Sequence, residues 1–123
     1  MKNLLLGLCM VVSGACASTS TGYNPDNIRD AVEIVCDGHD AYVTADAALA
    51  PAAQQLALGE SLRCRTLLSL NPVPAAPLRV SLSPVLVRYR IYVSSDPSLT
   101  SPQMQMRLRT ADLLQRLLDT NPQ

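Results

Sequence analysis

The residues whose types could support chemistry are concentrated in one short stretch of the chain. The sequence "CDGHD" places Cys36, His39 and Asp40 close together, and Cys64 is the other cysteine that could join them. Thiolate, imidazole and carboxylate groups bind zinc, but a structural zinc site needs four ligands, usually supplied as two paired groups. The sequence offers no second pair. These residues are therefore weak metal candidates, and we expect neither a metal site nor a cofactor.

No catalytic motif accompanies these residues. The chain lacks G-x-S-x-G, a phosphate-binding loop and H-E-x-x-H. His39 and the neighbouring Asp40 would need a nucleophile supplied by the fold, and no spacing in the sequence indicates one. We therefore expect a protein that is not an enzyme.

Residues 1–17, "MKNLLLGLCMVVSGACA", have the layout of a secretory signal peptide. Lys2 precedes an apolar run over residues 4–12, and small residues follow this run. The run is too short to span a membrane as a helix, which takes about 20 residues. The sequence therefore predicts export.

Residues 13–16, "SGAC", place small residues directly before Cys16, and this stretch resembles the lipobox of bacterial lipoprotein precursors. The resemblance implies a signal peptide of residues 1–15, lipidation of Cys16 and a polar tether over residues 16–24. The protein would then be attached to a membrane of the cell envelope, facing the periplasm. The alternative is cleavage after Ala17, with a signal peptide of residues 1–17 and a soluble periplasmic or secreted product.

The rest of the chain is long enough for one domain with one core. Hydrophobic residues make up 48% of the sequence, yet it contains no Phe and no Trp. A core built from small and aliphatic side chains favours closely packed helices over a sandwich of aromatic strands.

The chain repeats itself after 50 residues. Residues 42–72 and 92–122 match at ten of 31 positions without a gap, whereas composition alone would give about two or three matches. The most similar stretches are "YVTADAAL" and "YVSSDPSL", which share the residues Tyr42, Asp46, Leu49, Tyr92, Asp96 and Leu99. We interpret this similarity as an internal duplication.

Each copy is predicted to fold as an antiparallel helical hairpin, so the expected fold is all-α with four helices. In the first copy, Pro25 opens a helix with an apolar stripe, and a second helix follows from Pro51. The expected organisation is hairpin repeat 1 over residues 25–72, a linker over residues 73–83 and hairpin repeat 2 over residues 84–123, all within one domain.

Cys36 and Cys64 are equally far from a turn near residue 50, so the first hairpin would bring them together. In an exported protein this contact predicts a disulfide, which would contribute about 3 kcal/mol of stability. The second copy has Leu86 and Leu114 at the same positions. An apolar pair in one copy and a cysteine pair in the other is expected for a buried contact between two helices.

Residues 78–93, "LRVSLSPVLVRYRIYV", have two interpretations. Their alternation and β-branched content are typical of strands. A helix over the same stretch would begin with Ser83 as the cap and Pro84 at the first position. The register of the repeat favours the helix, and the strand is the alternative.

The repeated turn residues have a structural and a functional interpretation. Asp46 and Asp96 are expected to cap the bend of each hairpin, with Tyr42 and Tyr92 one turn earlier on the seam between the helices. The leucines Leu49 and Leu99 would then close the end of each hairpin. The alternative is an acidic binding spot that occurs twice.

Charge is balanced in total but unevenly placed. Residues 26–46 hold six acidic residues against one arginine, whereas residues 63–109 hold seven arginines against one acid. The acidic first helix could face the basic later helices within the bundle, or the arginines could form a surface for phosphate-rich headgroups. Nucleic acid is disfavoured as a partner by export and by the lack of interleaved aromatic residues.

These observations together predict a non-catalytic exported lipoprotein that acts as an interaction or structural module in the envelope. Its partner would be an unidentified envelope protein, and a spare apolar helix face would allow a homo-oligomer. One alternative is a small exported ligand- or metal-binding protein that uses Cys36, His39, Cys64 and an acidic residue. Another is an outer-membrane lipoprotein partner of a phage lysis system.

Overall fold

The computed structural model describes residues 25–120, which form four α-helices. These are α1 (Pro25–Ala45), α2 (Pro51–Leu68), α3 (Ala75–Ser94) and α4 (Ser101–Asp119), and the described part of the chain contains no strand. The prediction of an all-α fold of four helices is confirmed. The signal peptide, the lipidation of Cys16 and the tether predicted for residues 1–24 lie outside the described residues.

Local sequence accounts for the beginnings of the second helix of each hairpin. Pro51 and Pro102 occupy the first turn, where a missing N–H costs no hydrogen bond. Thr100 adds a capping box, because its hydroxyl accepts from the Gln103 N–H while the Gln103 side chain accepts from the Thr100 N–H. Ala50, the equivalent cap of α2, has no side chain that could do this.

The ends of α2 and α4 are held by arginines from the other helix of the same hairpin. Arg29 in α1 donates to the carbonyl oxygen of Leu68, and Arg79 in α3 donates to that of Leu118. Both contacts place a guanidinium at the negative end of a helix, where cations are favourable. The two contacts lie 50 residues apart in the sequence, so the duplication extends upstream of the identities that begin at Tyr42.

The core repeats with the same period. Each hairpin packs α1 on α2 or α3 on α4, and the hairpins meet where α2 packs on α3, α4 on α1 and α1 on α3. The buried side chains occur in equivalent pairs: Ile28 with Leu78, Val32 with Leu82, Val35 with Val85, Cys36 with Leu86, Cys64 with Leu114 and Leu68 with Leu118. Two copies of one hairpin therefore share a single core.

Helix α3 begins nine residues before the predicted start at Pro84. It runs from Ala75 through Pro84, so most of residues 73–83, expected as a linker, are helical. Proline inside a helix costs about 3 kcal/mol because it removes one hydrogen bond and crowds the preceding turn. Leu78 and Leu82 are fully buried before the proline, and Val85 is fully buried after it. Their burial outweighs this cost. The alternative of a strand over residues 78–93 was wrong, because the whole stretch lies within the helix.

Within residues 25–120, no helix combines the length and the hydropathy that a membrane span requires.

Candidate functional site

Cys36 and Cys64 lie side by side in the core, as the geometry of the hairpin predicts. Both are fully buried, and both are free thiols in this structure. The predicted disulfide is not formed, because both cysteines are free thiols, whereas a disulfide requires a sulfur–sulfur separation of about 2.05 Å. Position in the hairpin predicted the contact between the side chains but could not predict the bond.

The two thiols have opposite environments: contact with Cys36 lowers the pKa of Cys64 despite its burial, whereas the environment of Cys36 argues against a nucleophile or a metal ligand. The hydrogen bond with Cys64, together with burial, raises the pKa of the Cys36 thiol far above its ordinary value. The thiolate is the form that attacks electrophiles and binds metals. Cys36 therefore remains protonated at neutral pH and serves as a small core residue.

His39 is completely buried and uses both ring nitrogens within the protein. Its Nδ1 lies 2.9 Å from Oδ1 of Asp40, and its Nε2 lies 2.9 Å from Nη1 of Arg88 in α3. Because a guanidinium can only donate, Nε2 must accept, and the proton is on Nδ1. Burial lowers the pKa of His39, and the charge of Arg88 lowers it further, against the opposing effect of Asp40. His39 is therefore a neutral imidazole with no free nitrogen.

Asp40 is the centre of a polar cluster that joins α1 to α2. Its Oδ2 accepts from the hydroxyl of Ser61 at 2.9 Å and from Nη2 of Arg65 at 3.0 Å. Burial alone would raise the pKa of Asp40, but hydrogen bonds from His39, Ser61 and Arg65 hold it below its usual value. Ser61 donates to the carboxylate and not to His39, so the three residues do not have the order of a nucleophile, base and orienting acid.

Helix α3 joins this cluster through Arg88, which connects His39 to a second acid. Its Nη2 donates to Oε1 of Glu60 in α2 at 2.7 Å. Arg65 also pairs with Asp37, at 3.0 Å. We call the seven residues that participate the His39 cluster: Asp37, His39, Asp40, Glu60, Ser61, Arg65 and Arg88.

Of the His39 cluster, only His39 and Asp40 were predicted from the sequence, and the other five members were not. Arg88 reaches the cluster from a different hairpin, and no spacing along the chain indicates such a contact. Ser61 carried a weak signal, since a serine in the apolar stripe of α2 needs a hydrogen-bond partner when it is buried.

The weak metal candidates are not arranged as a metal site. In residues 25–120, no group of three His, Cys, Asp or Glu side chains could hold a metal ion. Cys36 contacts Cys64 in the core, whereas His39 and Asp40 bond to each other and to arginines. The cluster is therefore an internally satisfied polar connection between three helices.

The repeated tyrosines and aspartates connect the two hairpins. The Tyr42 hydroxyl donates to Oδ2 of Asp96 at 2.7 Å, and the Tyr92 hydroxyl donates to Oδ2 of Asp46 at 2.8 Å. The rings of Tyr42 and Tyr92 stack with centroids 5.2 Å apart and planes inclined by 11°. Burial, followed by the hydrogen bond to Asp96, raises the pKa of Tyr42 to about 12.

The same aspartates also hold the turns. Oδ1 of Asp46 accepts from the Ala48 N–H, and Oδ1 of Asp96 accepts from the Ser98 N–H. Both carboxylates therefore use one oxygen within their own turn and the other for the opposite hairpin. Leu99 packs partly buried against the core, and Leu49 is half-buried at the equivalent position. These contacts account for the repeated residues without a ligand.

A band of apolar side chains lies on the outer surface of α3. It consists of Val80, Val87 and Ile91, each more than half exposed and spaced to lie along one face of the helix. We call these three residues the α3 stripe. The equivalent residues of α1 are Asp30, Asp37 and Ala41. Two helices with the same buried face therefore present different surfaces to solvent.

Comparison with known proteins gives no relative: no family model matches this chain, and neither does any curated protein or solved structure.

Proposed function

We propose that this chain is an exported lipoprotein, anchored through Cys16, whose four-helix domain binds an envelope protein without performing catalysis. The N-terminal sequence supports export and anchoring, because the signal-peptide layout and "SGAC" occur together at residues 1–16. The polar tether of residues 16–24 would leave the folded domain free to approach a partner.

The chemistry of the buried polar groups supports a role without catalysis. Within the described residues, His39 and Asp40 are hydrogen-bonded to each other and to arginines, and contact with Cys64, together with burial, raises the pKa of Cys36. A general base or a nucleophile must instead present an available atom to a substrate. The His39 cluster is best explained as a specific connection that keeps α1, α2 and α3 in register.

The observation that carries the proposal is the α3 stripe. Soluble proteins expose single apolar side chains commonly, but aligned exposed residues on one helix are typical of interaction surfaces. The comparison with α1 strengthens this interpretation, since the same scaffold tolerates Asp30 and Asp37 at two of the equivalent positions. Packing therefore does not require the valines at positions 80 and 87. We infer that they contact an apolar surface on a different protein.

Site-specific photo-crosslinking in the native envelope tests this proposal. A photoreactive amino acid placed at Val87 should give one discrete adduct with a second protein, because Val87 lies at the centre of the stripe. The matched control is the same amino acid at Asp37, which occupies the equivalent position of α1. Val80→Ser combined with Ile91→Ser should abolish the adduct at position 87. The mass of the mature chain from the same preparation should show the lipid on Cys16.

Several outcomes would overturn this proposal. An adduct at position 37 as strong as that at 87 would mean that the stripe has no special role. An adduct of two copies of this chain would replace the partner protein with a homo-oligomer. A mature chain that begins at Ser18 would contradict the lipid anchor.

A further inference from the structure

A groove lies between α1 and α4, with a volume of about 510 Å³. Its walls include the exposed side chains of Ile34 and Met106, and its lining is mainly apolar. Gly38 lines the groove where the α1 backbone approaches the ring of Tyr89. This volume is within the range of about 300–1,000 Å³ typical of small-molecule sites.

Tyr89 supplies a buried polar group to this groove. The residue is only 2% exposed, and its hydroxyl has no hydrogen-bond partner among the described residues. Burial raises the pKa of Tyr89, so the hydroxyl remains a donor at neutral pH. Buried hydroxyls in folded proteins nearly always have a partner, and each exception needs an explanation. A ligand that accepts a hydrogen bond would provide that partner.

Arg107 supplies a positive charge beside the same groove. Its Nη1 donates to the Tyr42 hydroxyl at 3.0 Å, and that hydroxyl donates to Asp96. Within residues 28–120 no carboxylate lies within direct ion-pair distance of Arg107. A cation beside an apolar groove favours an anionic group on whatever occupies the groove. The equivalent residue of the first repeat is Ala57, so this charge is a feature of one half of the molecule.

The equivalent space between α2 and α3 is filled by side chains. Between α2 and α3, Arg88 occupies the position that Gly38 has between α4 and α1, and Arg88 bonds to His39 and Glu60. The residues equivalent to His39 and Glu60 are Tyr89 and Thr110. One interhelical space is thus filled by Arg88 with its own acid, whereas the other has Gly38 and Thr110 at the positions of Arg88 and Glu60.

We propose that the α1–α4 groove binds a single-chain carboxylate of the fatty-acid class. The two carboxylate oxygens would accept hydrogen bonds from the Tyr89 hydroxyl and from Arg107, and the alkyl chain would lie against Ile34 and Met106. Two donors suit a planar carboxylate better than a phosphate, whose additional charge and oxygens call for more donors. The inference goes beyond the proposed function and does not depend on it, because it uses neither the α3 stripe nor Cys16.

Titration calorimetry of the full-length chain with dodecanoate tests this inference. Dodecanol has a similar chain without the charge, and acetate has the charge without the chain. Dodecanoate should bind saturably, and both reference compounds should bind at least tenfold more weakly. Arg107→Ala restores the residue of the first repeat and should weaken dodecanoate binding about tenfold. Tyr89→Phe, which keeps the ring, should weaken it several-fold.

Arg109→Ala is the matched control, since Arg109 is exposed on α4 and does not line the groove. Circular dichroism of each variant establishes that the helices are intact. Saturable binding of dodecanoate that Arg107→Ala and Tyr89→Phe both weaken, and that Arg109→Ala preserves, would support the inference. Dodecanol bound as tightly as dodecanoate would overturn it. So would dodecanoate binding that Arg107→Ala or Tyr89→Phe leaves unchanged, or the absence of saturable dodecanoate binding.

Discussion

The two interfaces between the hairpins occupy equivalent positions in the duplication and differ in how they are filled. Helix α2 packs extensively on α3, where Arg88 joins His39 and Glu60. Helix α4 packs less extensively on α1, and the groove beside Gly38 remains between them. The buried apolar layer beneath is nearly the same in both halves. The copies have therefore kept their core and diverged in the layer between the core and the surface.

The divergence involves pairs of residues. At the α2–α3 interface, the small ring of His39 leaves room for the long side chain of Arg88. At the α4–α1 interface, the larger ring of Tyr89 packs against Gly38. A Cβ at position 38 would lie 2.8 Å from Cε1 of Tyr89. Exchanging only one member of either pair would produce overlap or an empty space. The duplicated scaffold thus permits two arrangements. At the α2–α3 interface, Arg88 and its ion pair fill the space between the helices, whereas the α4–α1 interface retains a groove.

The largest loss of stability is expected from substitutions in the apolar core that both hairpins share. Leu114 and Cys64 are equivalent and fully buried. Leu114→Ala should lower the free energy of unfolding by about 2–5 kcal/mol, because it leaves a cavity. Cys64→Ala removes a single heavy atom and should cost about 1 kcal/mol. Urea denaturation measures both, with Leu113→Ala, an exposed neighbour, as a control that should change stability by less than about 0.5 kcal/mol. Equal costs for Leu114→Ala and Cys64→Ala would mean that the two core layers are not equivalent.

The fold was largely predictable because its main signals are local or periodic. The helical stripes and the 50-residue repeat indicate four helices, and the position of Cys36 and Cys64 about the turn indicates which helices touch. The beginning of α3 was not predictable from Pro84, since an isolated proline more often starts a helix than lies within one. Only the burial of Leu78 and Leu82 against the rest of the bundle extends the helix back to Ala75.

The candidate site was less predictable, because its members come together only in three dimensions. His39 and Asp40 are visible as neighbours in the sequence, but Glu60 and Arg88 reach them from other helices. The groove was also missed: the register that pairs Cys36 with Leu86 also pairs Gly38 with Arg88, but it does not indicate which interhelical space a side chain fills. Burial preserves the apolar pattern in both copies, whereas the polar layer has diverged too far to be aligned by residue type.

A smaller change in the free energy of unfolding is expected from pH, and it should arise from His39 and not from the equivalent Tyr89. Burial lowers the pKa of His39 in the folded protein, with Arg88 acting in the same direction and Asp40 opposing it. The unfolded chain therefore binds the proton first, as the pH falls through the ordinary histidine value of about 6.5. The free energy of unfolding should consequently decrease below about pH 6.5. Tyr89, the equivalent residue, does not titrate in this range.

Urea unfolding at a series of pH values between 7.5 and about 5 measures this dependence. His39→Gln is the control, because the chain contains no other histidine and glutamine can still donate and accept hydrogen bonds. Its stability should be nearly independent of pH over the same interval. Asp40 does not interfere, since its pKa lies below the usual carboxyl value and its contribution is lost only at more acidic pH. Stability that increases on acidification would contradict the neutral, buried imidazole.

The smallest change in stability is expected from replacing either of two glycines in the middle of helices by alanine, and the two replacements should differ. Gly59 in α2 has nothing within 4 Å of an added Cβ, so Gly59→Ala should stabilise the protein by about 0.5–1 kcal/mol through helix propensity alone. Gly38→Ala gains the same propensity but forces the buried ring of Tyr89 to move, and we expect no net gain or a loss. Thermal unfolding of both variants measures the difference. If Gly38→Ala stabilised the protein as much as Gly59→Ala, the ring of Tyr89 could yield freely, and Gly38 would not be needed for its close approach to α1.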